Sequence, residues 1–123
     1  MKRVISEGAL AGSPYSPAVI AGGFCFLAGH LGTDANQQLP DGIEAQTRQA
    51  LDNLSATLAA AGLDRTHVVR TSIWVRDYAD MPTVNKIYAD YFPDQYPART
   101  AFQTPVLPLD ALFEIDAIAV APA

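Results

Sequence analysis

The chain is short of the residues that build metal centres, disulfides and nucleic-acid interfaces. It holds one cysteine, Cys25, and two histidines, His30 and His67, among 123 residues. A lone cysteine excludes an internal disulfide and a thiolate metal cluster, which suits a reducing compartment. The two histidines lack HxxH-type spacing, so no histidine-based metal site is expected. Eight Lys and Arg face thirteen Asp and Glu, for a net charge of −5, and no basic run exceeds Lys2-Arg3. Phosphate backbones need clustered cations, so nucleic acid is not an expected partner. No apolar stretch reaches the ~18 residues that span a bilayer, so no membrane partner is expected either. Val4-Ile5 is too short for a signal-peptide core. What remains is half hydrophobic and 17% charged. That balance predicts one folded domain over residues 1–123, expected to be cytoplasmic.

Arg3–Ser6 offers a short first strand, and Gly8–Pro17 reads as a loop with Tyr15 at its centre. An aromatic there serves either as a lid over core or as a ligand contact. Ala18–Ala21 and Phe24–Ala28 flank Gly22-Gly23, a dipeptide suited to the positive φ of a two-residue hairpin turn. Alternation puts Phe24, Phe26 and Ala28 on one face and Cys25 and Leu27 on the other, so both faces are expected to be covered, with Cys25 an inert core thiol. Gly29-His30-Leu31-Gly32 follows; its glycines permit a close backbone approach, and His30 is the better functional candidate of the two histidines.

Thr47, Leu51, Leu54, Leu58 and Ala61 recur at helical spacing and predict a helix over Ile43–Ala61, with Glu44, Arg48, Asp52 and Ser55 outward and Gly62 as its stop. Val68–Val75 alternates as a strand. Val69, Thr71, Ile73 and Val75 are expected toward the helix; Val68, Arg70, Ser72 and Trp74 face away. A second helix runs from an Asp80 cap through Pro82, with Val84, Ile87, Tyr88 and Tyr91 as its stripe and Phe92-Pro93 as its end. Asn85 lies off that stripe, where a solvated polar residue is the ordinary occupant. Two strands close the chain, Arg99–Thr104 and Leu112–Val120. The order β-β-β-α-β-α-β-β describes an α+β domain with a six-stranded sheet. Two helices cover only one face, which leaves the face of Trp74 and Ile118 as an association surface. Each closing strand carries a charge that a purely structural strand avoids, Arg99 and Glu114. A guanidinium and a carboxylate can hold a carboxylated substrate and steer a water, provided that they meet.

The closing stretch resembles a known signature. Pro97-Ala98-Arg99-Thr100, Leu107-Pro108 and Glu114-Ile115-Asp116-Ala117-Ile118-Ala119-Val120 match the P-A-R-[ST]…L-P…[VI]-E-I-[ED]-A-[IV]-A pattern of the RidA (YjgF/L-PSP) family of reactive-intermediate imine and enamine deaminases. Gly29, Val69–Asp77 and Val84-Asn85…Tyr88…Phe92 extend the match from Tyr15 to Val120. The resemblance implies a chorismate-mutase-like fold, a mixed sheet with two helices on one face, assembled as a homotrimer with clefts between subunits. It implies metabolite damage control by hydrolysis of 2-imino or 2-enamino acids, such as 2-iminobutanoate and 2-iminopropanoate, to 2-keto acids and ammonia. By position Arg99 binds the substrate carboxylate, Glu114 activates water, and Tyr15, Gly29 and Asn85 line the pocket. Ala101 stands where many deaminating members carry cysteine, and His30 where glutamine is common; both bear on substrate fit. Pro105 removes a ladder donor and is expected to end its strand or sit at an edge.

No cofactor or metal is needed for that chemistry. Two alternatives stay open: a trimer that binds small carboxylates such as 2-keto acids without turnover, and a pathway-specific deaminase of aminoacrylate or aminomuconate type. Cleavage of RNA fits poorly, because the chain is acidic and offers no histidine pair for general acid–base work.

Overall fold

The computed structural model describes residues 1–10 and 12–121. Its elements are β1 (Arg3–Ile5), β2 (Ala18–Ala21), β3 (Phe24–Leu31), α1 (Ile43–Ala60), β4 (Val68–Val75), α2 (Met81–Tyr91), β5 (Ala98–Gln103) and β6 (Phe113–Val120), with 3₁₀ turns at Arg65–His67, Tyr78–Asp80 and Pro108–Asp110. One six-stranded sheet runs in the order β1-β2-β3-β6-β4-β5. The pairings are antiparallel except β4–β5, where the α2 crossover makes the strands parallel. This is the expected mixed sheet and element order.

Local chemistry explains the punctuation. Gly22 and Gly23 both take positive φ, 60° and 81°, which turns β2 tightly into β3. In α1 the predicted stripe of Thr47, Leu51, Leu54, Leu58 and Ala61 is buried. Gly62, at φ 77°, ends it: its N–H donates to the Ala59 carbonyl at 2.9 Å and Leu63 N–H to that of Leu58 at 2.8 Å. Ser55 departs from its outward reading, because its hydroxyl shares a hydrogen bond with that of Tyr91 on α2. Asp80 occupies the cap position of α2 without capping it. A 3₁₀ turn precedes the helix, so Asp80 is itself in helical conformation (φ −78°, ψ −9°), where a cap needs extended backbone. Asp77 caps the 3₁₀ turn instead, accepting from Ala79 N–H at 2.9 Å, and α2 itself has no side-chain cap.

On β6, Phe113, Ile115, Ala117 and Ala119 are buried against the helices, and Glu114, Asp116 and Ile118 take the other face. Two register shifts break the simple alternation elsewhere. Between Val68 and Arg70 β4 slips against β6, so Val68 enters the core and Val69 is exposed, the reverse of their expected places. On β3, Leu27 pairs with Ala117 and His30 with Ile115, so Ala28 and Gly29 together oppose Asp116. That bulge returns His30 to the buried side.

The face away from the helices is open. Phe24 and Phe26 are 43% and 45% exposed, where coverage of both faces was expected. Trp74 stacks on Phe102 with centroids 5.8 Å apart, and Ile118 lies on the same face. Pairing on β5 stops at Gln103, with Thr104 N–H giving a last bond to Val75 O at 2.9 Å before Pro105; β5 is an edge strand.

Candidate functional site

Glu114 is the second residue of β6, on the open face, opposite Leu31 of β3 and Trp74 of β4. It is half-buried against the β3 bulge. A Cβ at Gly29 would stand 2.9 Å from Glu114 Cδ, and closer still to Oε2. Glycine is therefore what lets the carboxylate lie against the backbone. Burial raises the Glu114 pKa above the ordinary carboxylate value, and the charge of Asp116 raises it further. From Glu114 and Gly29 a half-open cavity of about 820 Å³ extends past Tyr15 and Leu10, along α1 at Asn53, to Leu109.

The scaffold beneath this cavity uses His30 together with three polar residues that sequence reasoning passed over, Thr57, Asn53 and Gln46. His30 bridges the bulge to α1: Nδ1–H donates to the Ala28 carbonyl at 2.7 Å, so Nε2 is left to accept from Thr57 Oγ1 at 2.8 Å. Burial lowers its pKa, which favours the neutral ring. Both nitrogens are occupied, so His30 holds structure rather than acting as a catalytic base. His67 is likewise engaged, accepting from Asp64 N–H at 3.1 Å at the 3₁₀ turn before β4. Asn53 Nδ2 donates to the Leu31 and Thr33 carbonyls, both at 2.9 Å, where β3 leaves the sheet. Gln46 Nε2 donates to Pro40 O at 3.0 Å, and its Oε1 accepts from Leu112 N–H at 2.8 Å, tying the loop before α1 to the start of β6. The signal available for these was their place: amides and a hydroxyl on the flank of an apolar helix stripe.

Tyr15, Gly29 and Glu114 thus share one cavity. Arg99, Ala101 and Asn85 do not join them. Arg99 pairs in register with Thr71 and Ala101 with Ile73, which puts both on the helix-facing side of β5. The Arg99 guanidinium lies over the Tyr88 ring, 4.9 Å from its centroid, and the Tyr88 and Thr71 hydroxyls share a 2.7 Å hydrogen bond. Asn85 is exposed on α2, one turn before Tyr88. Arg99 and Glu114 therefore project from opposite faces of the sheet, with β4 between their strands. Each chain thus presents two separate features: a carboxylate in a cavity, and an arginine stacked on a tyrosine. Among the described residues no carboxylate forms an ion pair with Arg99, and no cluster of His, Cys, Asp and Glu is placed to hold a metal. No described helix is long and apolar enough to cross a membrane.

The family model described as endoribonuclease L-PSP matches residues 6–121. A human protein named 2-iminobutanoate/2-iminopropanoate deaminase is 39% identical over 124 residues, covering 98% of this chain and 90% of its own. The chloroplastic Reactive Intermediate Deaminase A of Arabidopsis thaliana is 44% identical over 86% of this chain, which spans 58% of that longer protein. A solved structure of a conserved Rid-family protein of unknown function from Yersinia pestis superposes with a TM-score of 0.92 at 35% identity, over 98% of this chain and all of the other.

Proposed function

The chain belongs to the RidA, or endoribonuclease L-PSP, family, and from that premise we propose that it hydrolyses 2-imino and 2-enamino acids to 2-keto acids and ammonia, as a cytoplasmic homotrimer. The observation that carries this reading is the half-buried Glu114 carboxylate lying against Gly29 on the wall of a cavity. A carboxylate with a raised pKa is a stronger base in its ionised form and can orient and partly deprotonate a water.

A second copy supplies the other half. With the β5 edge of one chain set against the cavity of the next, Arg99, Asn85 and Ala101 of the first complete the site of the second. The guanidinium fork pairs bidentately with the substrate carboxylate. The Tyr88 ring beneath it favours one orientation of that fork. Water held by Glu114 adds to the C=N carbon, and the nitrogen takes up a proton. The resulting carbinolamine then collapses to C=O as ammonia leaves, with Glu114 carrying a proton from the added oxygen to the nitrogen in each step. The uncatalysed reaction already proceeds in water, so modest contributions suffice. Orientation can supply several kcal/mol, and a positioned base a further ~10²–10⁴-fold. RNA cleavage has less support, since both histidines are engaged in local hydrogen bonds.

The test is direct. Iminopropionate or iminobutyrate is generated with an amino-acid oxidase, and imine loss is followed with and without the protein. Acceleration by the native chain that vanishes in Arg99→Ala is the expected result; an undiminished rate in that variant refutes the assigned role.

A further inference from the structure

The turn at Pro108–Asp110 holds two consecutive non-glycine residues in the left-handed region, Leu109 (φ 58°) and Asp110 (φ 56°). A leucine adopts that conformation only when its surroundings impose it. Here both ends of the turn are fixed. Asp110 N–H donates to Leu107 O at 3.2 Å and Ala111 N–H to Pro108 O at 3.0 Å, while Leu107 and Ala111 are buried anchors. The product of this constraint is an apolar side chain left 59% exposed on the wall of the Glu114 cavity. Leu10 and Tyr15, also exposed, line the same cavity, and Leu10 N–H reaches the Tyr15 hydroxyl at 3.4 Å.

The polar groups that α1 contributes to the cavity are already committed. Asn53 gives its amide to two carbonyls and takes the Gln49 amide at 3.0 Å, and Thr57 donates to His30. Glu7, Asp34 and Gln37 line it as well, Asp34 accepting from Asn36 and Gln38 N–H, and most of the remaining cavity surface is apolar. Its volume, about 820 Å³, falls within the ~300–1,000 Å³ common to sites for drug-sized ligands. An imine carbon bears three groups: the nitrogen, the carboxylate and the side chain. With the carbon before Glu114 and the carboxylate turned outward to a second chain's arginine, the side chain is directed into this space.

We propose that the cavity is a side-chain subsite, with Leu109 its specificity residue. The preferred substrates are 2-imino acids with extended apolar side chains, of the kind derived from leucine or phenylalanine, over the three-carbon imine. This rests on the imine-hydrolysis reading and deepens it. One added methylene in an apolar pocket is worth about tenfold or more in discrimination.

Two measurements test it separately from turnover. The kcat/KM for the leucine-derived imine should exceed that for the alanine-derived imine at least tenfold, and Leu109→Gly should reduce the ratio about tenfold. Because glycine relaxes the left-handed turn, the melting temperature of that variant should not fall, which separates lost selectivity from damaged structure. Binding is then measured with the product keto acids. Native protein should hold the keto acid of leucine more tightly than pyruvate by a similar factor, and the gap should narrow in Leu109→Gly. A protein that turns over no imine yet keeps this binding preference refutes the hydrolytic reading and supports the subsite. Equal affinity for the two keto acids, or a preference untouched by Leu109→Gly, overturns the subsite whether or not imine is consumed.

Discussion

If each working site takes Glu114 from one chain and Arg99 from another, two inactive variants should restore activity when mixed. Arg99→Ala chains keep an intact cavity and lack the guanidinium; Glu114→Gln chains are the reverse. A homo-oligomer of either contains no complete site. In a mixed ring, a site is complete when the chain giving the cavity is the arginine variant and its neighbour is the glutamate variant. With equal amounts and random assembly each condition is met half the time, so about one quarter of sites should work. The recovered fraction follows x(1−x) in the mixing ratio and peaks at equal proportions. Each variant alone should fall by ~10²–10⁴-fold, so the rescued quarter stands far above background. The assay is imine loss by the two variants co-expressed at known ratios and recovered through one tag common to both, so that homo-oligomers stay in the count. Mixed oligomers no more active than the two variants apart would refute the two-chain site, and with it the inference drawn from Arg99 and Glu114 facing opposite ways.

Gly29→Ala should lower kcat by roughly 10²-fold, because the added methyl displaces the Glu114 carboxylate and a shift on the order of 1 Å carries that penalty. Its stability should stay within about 1 kcal/mol of native, the gain from a stiffer unfolded chain offsetting a strained Glu114 rotamer; an active, well-folded variant refutes the close approach. Asp116→Asn removes a like charge that raises the Glu114 pKa, so the acidic limb of the kcat/KM profile should move to lower pH, and an unmoved limb counts against Glu114 as the base. His30 has a folded pKa below the ordinary histidine value. The stability it gives is present above the unfolded pKa of about 6.5 and is lost as pH falls from there toward the folded value. Urea midpoints should drop over that window and flatten in His30→Gln, which can still donate to Ala28 and accept from Thr57. Thr47 Oγ1 is buried without a hydrogen-bond partner, so Thr47→Val should stabilise the fold by about 1 kcal/mol, a rise of about 2–5 °C on melting.

Much of the fold was legible because periodicity carries it. The α1 stripe, the Gly62 stop, the Gly22-Gly23 turn and the alternation of Phe113 to Ala119 each follow from side-chain spacing and backbone permission. What spacing does not carry is a slip in pairing. Val68 and Val69 are the same residue type, so their exchange of places at the β4 shift leaves no trace in composition. Asp77 and Asp80 are both credible caps, and the 3₁₀ turn between them decides the matter. For the site, Gly29, Arg99 and Glu114 stood out by type and by family pattern. Their division between two faces did not, because alternation within β5 and within β6 says nothing of how the strands are registered through β4. Gln46, Asn53 and Thr57 were missed because a helix amide or hydroxyl beside an apolar stripe is ordinarily solvated. Here each bonds to strand or loop backbone, or to a histidine reset by a bulge.

That bulge separates scaffold from site to within a single residue. Ala28 and Gly29 occupy one rung of the ladder between them, with Leu27 and His30 inward on either side. A chain shorter by one residue at this rung would keep Cys25, Leu27 and His30 on their present faces, and the β3–β6 ladder would run on unbroken. It would be a regular sheet of the same topology with no recess for the Glu114 carboxylate. The capacity to seat a recessed carboxylate is thus an addition the architecture does not require, and it can be gained or lost without redrawing the fold.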